Sequence, residues 1–379
     1  DQTIENINNN YNKILYELLT VINGTKLLLS QGAKSNILND YIKLTNASKN
    51  KKVFMAPQPV TLNFDNLKLD NSISILFNYA VTEKADGIRY LLYINKEKKG
   101  YLINTKLDDV INIGIEFPNI KGEWVLDGEY IQTNKYGEAI QLYMIFDVYW
   151  AMGDTNEKHI HKYPFKRLNA TIKYSREEML NLFKTEYLPK LKIIENDFHE
   201  FRIYNKVYEF GSIDSITNHD NEIMQKQILL KSKNILEKNK SSAYEYEIDG
   251  LIYLPINLPV ACDLSTDEKD DISGSWFHNL KWKPEDENTI DFKVNIISES
   301  VKTKSGVEYS RDKLFPYISY SDSGEEILNN YKQAIVSVSY NQVDDNTLKY
   351  YMLMLTSVYT KSKPLITFNP PNRIDDIEK

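Results

Sequence analysis

The chain has 379 residues, 42% of them hydrophobic and 26% charged, which suits a folded protein of two or three domains with a sizeable core. Its formal net charge of −7 excludes a global basic footprint for nucleic acid, although a local basic groove would still attract phosphate, because that attraction is short-ranged at physiological salt. The single cysteine, Cys262, excludes an intrachain disulfide framework and a cysteine-based zinc cluster, and the sequence has neither a signal peptide nor an apolar run of about 18 residues, so no membrane partner is expected and an intracellular protein is.

Residues 4–44 read as helical. Tyr11, Ile14, Leu15, Leu18, Leu19 and Ile22 form an apolar stripe at helical spacing, and Gly24 supplies a stop. A second stripe runs through Ile37, Leu38, Tyr41, Ile42 and Leu44; both are expected to pack as an arm rather than to bind a partner. The lysine-rich stretch 46–52 reads as a linker, and APQPVTL at 56–62 as an extended lead-in to a β-rich region. Strands are expected at 88–94 and 101–103 around a charged turn, and at 124–131 and 139–150 around TNKYG. His159 and His161 lack a third ligand at metal spacing and read as an exposed loop. Ser175-Arg-Glu-Glu178 is a capping box opening one helix, and a second helix is expected over 222–238. Strand character returns at 246–254 and 279–297. After residue 299, short β runs such as 334–340 and 350–359 alternate with polar turns, as in a small barrel.

Five segments carry chemistry. KADGIR puts Lys84, Asp86, Gly87 and Arg89 within six residues, directly before a β-prone run. A nucleophilic lysine must shed its proton, the glycine would let backbone approach a phosphate, and the arginine offers fixed donors to a nucleotide. LDGE places Asp127 and Glu129 on either side of a glycine, YMIFDVYW is an aromatic strand holding Phe146 and Asp147, and IDGLIYLP repeats the acid–glycine–strand pattern at Asp249. LKWKP sets Lys281 and Lys283 at alternate positions, on one face of a strand. Each alone also fits a solvated turn, a core strand or a solvated face. Together they supply a nucleophile in Lys84, carboxylates for a divalent metal in Asp249 and Glu129, cations for an α-phosphate in Lys281 and Lys283, and a ring to stack a base in Phe146.

In this order the segments resemble motifs I, III, IIIa, IV and V of the covalent nucleotidyltransferases, the superfamily of mRNA capping guanylyltransferases and ATP-dependent polynucleotide ligases. The resemblance covers about residues 57–292. Asp249-Gly250 where ligases usually carry Glu-Gly, the tryptophan of LKWKP, the NTIDF that follows and the PQPVTL lead-in are similar to capping enzymes, the last to those of large DNA viruses.

The resemblance implies an α+β fold with three parts: a helical arm (1–52), an antiparallel-sheet, ATP-grasp-like nucleotidyltransferase domain (53–298) and an OB-like β-barrel (299–379). It implies that Lys84 forms a lysyl-GMP intermediate from GTP with Mg2+ or Mn2+, and that GMP then passes to the 5′-diphosphate end of RNA. By motif, Arg89 and Glu129 would contact ribose, Phe146 would stack on guanine, and Asp249, Glu129 and Asp291 would serve the metal. Lys206 in NKVYEF stands where the family often has a guanine-contacting lysine. Flanking triphosphatase and methyltransferase domains or subunits, and a cytoplasmic setting, belong to the same expectation. The family's motif VI is matched only in part, by Arg373-Ile-Asp375-Asp376 and by Tyr309-Ser-Arg311-Asp312-Lys313, so no residue is assigned to it. The competing readings are an ATP-dependent RNA or DNA ligase, which nucleotide choice would separate, and a non-catalytic binding domain of the same fold, against which the intact Lys84 argues.

Overall fold

The computed structural model describes residues 2–47, 53–69, 71–152, 158–195, 197, 200–213, 226–265, 268–284, 293–302, 308–322, 325–335 and 354–359. The chain divides into two compact units, Asp1–Glu287 and Asn288–Lys379. In the first unit, helices α1 (Gln2–Asn23) and α2 (Gln31–Thr45) precede strands β1 (Pro57–Thr61), β2 (Tyr79–Ala85), β3 (Ile88–Ile94), β4 (Lys99–Asn104), β5 (Val110–Glu116), β6 (Trp124–Thr133) and β7 (Ala139–Trp150). Helix α3 (Arg176–Leu182) is followed by β8 (Lys192–Ile193), β9 (Phe201–Asn205), β10 (Glu209–Phe210), helix α4 (Gln227–Lys240), β11 (Ile248–Pro255) and β12 (Gly274–Trp282).

The strands form two sheets, one ordered β1-β12-β11-β2-β10 and the other β8-β5-β4-β3-β6-β7-β9. Most pairs are antiparallel, but β1 with β12 and β7 with β9 run parallel, so the sheets are mixed rather than wholly antiparallel. The sequence-adjacent strands β2 and β3 lie in different sheets. Asp86 and Gly87 are therefore the corner between the sheets, with Lys84 on one and Arg89 on the other. A Cβ on Gly87 would meet Glu129 Cγ and Tyr130 O at 2.8 Å. This glycine lets the corner close on β6.

Strand alternation sets what each sheet face does. On β2, β11 and β12, Val81, Leu251, Tyr253 and Leu280 are buried with Ile228 and Ile235 of α4, each such side chain contributing about 2 kcal/mol relative to exposure. The intervening residues Thr82, Ile252 and Lys281 pair across the three strands as one row on the opposite face. In the larger sheet, β3, β6 and β7 are buried along most of their length, which explains their nearly continuous apolar sequence. Tyr41 of α2 meets Tyr93 edge-on at 6.2 Å, and Trp124 packs on Phe183 just after α3 at 5.5 Å. The capping box at Ser175 and Glu178 forms with both of its hydrogen bonds.

Expectations for the arm and for His161 change as well. The second apolar stripe buries Ile37, Leu38 and Tyr41, but on α1 Tyr11, Ile14, Leu15, Leu18, Leu19 and Ile22 are all exposed, so only α2 packs as an arm. His161 is not on an exposed loop. It is 1% exposed, its ring lies 4.7 Å from that of Trp150 and its Nδ1 is 3.2 Å from Tyr149 O, and burial pushes its pKa down to about 4.

The second unit contains β13 (Lys293–Lys302), β14 (Glu308–Asp322), β15 (Glu325–Ile335) and β16 (Met354–Tyr359), joined antiparallel in that order. The single strand expected over 279–297 is thus divided between β12 and β13. Asp291 lies outside the described residues, as does Arg373-Ile-Asp375-Asp376.

Candidate active site

At the corner between the sheets, Lys84 Nζ donates to both oxygens of Asp249 at 2.7 Å, and Lys283 Nζ lies 2.7 Å from Asp249 Oδ2. Local backbone explains this convergence. In the β2–β11 ladder Ile248 pairs with Ala85 and Gly250 with Lys84, leaving Asp249 as the extra residue of a bulge. A bulge re-aims its side chain out of the ordinary alternation, here onto the lysine of the neighbouring strand. Gly250 has φ +153°, and a Cβ there would stand 2.0 Å from Trp282 O. Only glycine lets β12 come this close, and that approach carries Lys283 to Asp249.

A cleft of about 230 Å³ opens from Lys84 between the sheets. The smaller sheet contributes the Thr82–Ile252–Lys281 row and Asn279. The larger sheet contributes Arg89, Glu129 and Phe146. Phe146 is also a bulge residue, because Asp127 pairs with Asp147 while Gly128 pairs with Ile145. Lys206 and Tyr208 close the seam where β9 runs on to β10. Lys206 N donates to Ile145 O at 2.7 Å in one sheet and its Nζ to Glu83 O at 2.9 Å in the other, and Tyr208 Oη donates to Phe146 O at 3.0 Å.

Burial pushes the Glu129 pKa up to about 7 against the opposing pull of Lys206, Lys84 and Arg89. Arg89 is directed backward as well as toward the cleft: its Nε donates to Asp127 Oδ1 at 3.0 Å, and its Nη2 donates to Asp127 Oδ2 and to Pro57 O. Its guanidinium carbon stands 5.6 Å from the centre of the Phe146 ring.

The structure therefore gathers Lys84, Arg89, Glu129, Phe146, Lys206 and Lys281 around one cleft, with Asp249 and Lys283 joined to Lys84 at its edge. The residues that fix these groups are ones to which the sequence assigns no such role. Asp127 is fully buried between Arg89 and Tyr149, whose Oη donates to it at 2.7 Å. Asp147 accepts Arg176 Nε at 2.8 Å, with both side chains buried. Asp127 is visible in LDGE, but nothing in the sequence separates its role from that of Asp249. Arg176 gives no signal beyond its place in the capping box.

Among the described residues, no three His, Cys, Asp or Glu side chains gather to hold a metal ion. Glu129 in the cleft lining and Asp249 at its edge nonetheless suit a magnesium-type cation, which takes one or two carboxylates and completes its shell with water and substrate phosphates. Among the same residues, no helix is long and apolar enough to cross a membrane.

Two mixed sheets joined at a lysine-bearing corner, with a cleft of cations, carboxylates and aromatic rings between them, define an α+β domain with the architecture of a catalytic site. The chain belongs to the family described as mRNA capping enzyme, catalytic domain, which matches residues 22–285. It is 26% identical over 355 residues to a protein of Acanthamoeba polyphaga mimivirus named a probable mRNA-capping enzyme, covering 83% of this chain and 28% of that one. It is 27% identical over 253 residues to the mRNA-capping enzyme of Mus musculus, covering 64% of this chain and 34% of that one. To the mRNA-capping enzyme subunit alpha of Candida glabrata it is 24% identical over 290 residues, covering 73% and 56%. The chain thus spans less than two thirds of the length of each of these relatives.

Proposed function

We propose that this chain is an mRNA guanylyltransferase acting through Lys84. The observation that carries the reading is the Lys84–Asp249–Lys283 cluster at the edge of a cleft lined by Arg89, Phe146, Lys206 and Lys281. In the first step the unprotonated Lys84 amine attacks the α-phosphorus of GTP. A nitrogen–phosphorus bond forms, the bond from the α-phosphorus to the bridging oxygen breaks, and pyrophosphate leaves with that oxygen. In the second step a terminal oxygen of a 5′-diphosphate RNA attacks the same phosphorus, the nitrogen–phosphorus bond breaks and Lys84 regains its amine, giving a GpppN end.

Asp249, with Glu129, would hold Mg2+ or Mn2+, which supplies charge neutralisation on the phosphates. The chain's own side chains do the rest. Lys281 and Lys283 offer positive charge to the α-phosphate as it gains charge in the transition state. Phe146 supplies a face for the base, and Lys206 a donor for guanine O6. Lys84 begins as the ion-pair partner of Asp249 and must leave it to attack, and Lys283 is a second cation already in contact with the same carboxylate. Asp291 is proposed for the same metal on its motif alone.

The test is incubation with α-labelled GTP or ATP and a divalent cation, followed by a denaturing gel. Wild-type protein should carry label from GTP, and Lys84→Ala should carry none. Label retained on Lys84→Ala would sink the nucleophile assignment, and stronger labelling by ATP would move the chain to the ligase reading.

A further inference from the structure

The residue immediately before the nucleophile is a buried acid. Glu83 is 3% exposed, and strand alternation turns it away from Lys84 toward the seam where β2 runs past the end of β10. Its carboxylate is fully engaged there. Oε2 accepts the Thr82 hydroxyl at 2.7 Å, Oε1 accepts the Tyr246 hydroxyl at 2.9 Å, and Lys206 Nζ stands 3.8 Å from Oε1 while donating to the Glu83 carbonyl at 2.9 Å. The Lys206 and Glu83 side chains are 4% and 5% exposed, so neither charge is screened by bulk water. Lys206 also lies 5.7 Å from the centre of the Phe146 ring and lines the cleft.

A buried ammonium moves to wherever acids and carbonyls hold it, and two acids compete for this one. Glu83 stands 3.8 Å from it on the smaller sheet, and Glu129 lines the same cleft from the larger. Thr82 adds a second tie, since its hydroxyl also lies 2.9 Å from Val207 O, next to Lys206. We propose that Glu83 is a positioning residue that holds Lys206 at the Phe146 end of the cleft, so that the preference for a 6-oxopurine over a 6-aminopurine depends on Glu83 although Glu83 does not touch the base. The inference rests on the guanylyltransferase reading above and adds to it the group that sets its base specificity. Without the Glu83 charge, Lys206 would lean toward Glu129, and its donor would no longer meet a carbonyl at the base edge.

The experiment measures lysyl-nucleotide formation from GTP, ITP and ATP, as initial rate over a range of nucleotide concentrations, with Glu83→Gln, Lys206→Met and the double variant. Glu83→Gln keeps a side chain able to bond Tyr246 and Thr82 but removes the charge. It should lower the GTP-to-ATP efficiency ratio about tenfold, chiefly through KM and equally for ITP, as expected for one displaced donor at a base carbonyl. In the Lys206→Met background the same change should leave the ratio where Lys206→Met put it, because a residue acting only through Lys206 has nothing left to position.

A purely structural Glu83 would lower thermal stability and slow GTP, ITP and ATP by one common factor, with the ratio unmoved; that result overturns the proposal, as does a double variant whose losses multiply. Should Glu83→Gln melt below assay temperature, Tyr246→Phe removes only the hydroxyl on Oε1. A fall in the ratio of about threefold supports the proposal, and an unchanged ratio overturns it. Wild-type protein with no preference for GTP, or Lys206→Met that keeps one, would overturn the underlying reading. Wild type that prefers GTP, Lys206→Met that loses the preference and Glu83→Gln that keeps it would overturn the proposal alone.

Discussion

The chain contains the same short arrangement twice, an aspartate followed by glycine on a strand, and the two copies do opposite things. Asp127-Gly128 on β6 holds a carboxylate with no exposed surface between the Arg89 fork and the Tyr149 hydroxyl. Asp249-Gly250 on β11 holds one that is 12% exposed between two lysines that are 26% and 30% exposed. An arginine fork on a buried carboxylate is directional and costly to break, so it fixes geometry. Lysine ammonium groups are compact charges on flexible stems and exchange partners more readily. The first pair is built to stay, and the second, on the proposed reading, to exchange partners. The difference comes from the bulge at Asp249 and from burial, not from the motif.

The largest expected effect tests the exchangeable member. Asp249→Asn should reduce the lysine–GMP adduct about a thousandfold in single-turnover labelling, with thermal stability within about 1 kcal/mol of wild type because the group lies at the cleft edge. Loss of the adduct through unfolding would erase the contrast. Asp127→Asn should behave inversely, costing about 3 kcal/mol in urea denaturation, because it leaves Arg89 with a neutral partner where Asp127 is fully buried. If that variant keeps wild-type stability and fails only in labelling, Asp127 is a working group.

Lys281→Ala and Lys283→Ala sharpen the comparison within the open half. Each should slow adduct formation about a hundredfold while GTP affinity is retained, since charge on the phosphate grows only as Lys84 attacks. Wild-type rates in both would make this strand edge a solvated face.

The smallest effect is electrostatic and concerns Glu129. Burial raises its folded-state pKa from the ordinary 4.5 to about 7. The folded chain therefore binds this proton more tightly than the unfolded one. The contribution favours folding in full below about pH 4.5 and is lost as pH rises through about 7. Glu129→Gln, which cannot ionise, should be more stable than wild type at pH 8 by at most about 2 kcal/mol, with the gain absent at pH 4. Equal differences at both pH values would show that burial does not govern this carboxyl.

Much of this arrangement was legible in the chain itself. β-prone runs flanked by turn residues placed β3, β4, β6, β7 and β11 to within a few residues, and the Ser175 box marked where α3 begins. Residue types named most of the groups that line the cleft, since a lysine, paired acids, alternate lysines and an aromatic strand are what chemistry on a nucleotide phosphate requires. The alternate spacing of Lys281 and Lys283 was legible too, because a period of two is fixed by backbone geometry and not by packing.

Tertiary structure decided the rest. A bulge adds one residue to a ladder between two strands, so the re-aiming of Asp249 and Phe146 depends on pairing partners more than 100 residues away or in the next hairpin, and no local pattern records it. The same holds for the stripe on α1, whose helical spacing is real but whose burial depends on a surface that the described residues do not provide. It holds for His161, which Trp150 and the Tyr149 carbonyl draw inward. It holds above all for Glu83, Asp127 and Arg176. A charged side chain is read from sequence as solvated, and only the assembled sheets supply the partners that make its burial tolerable.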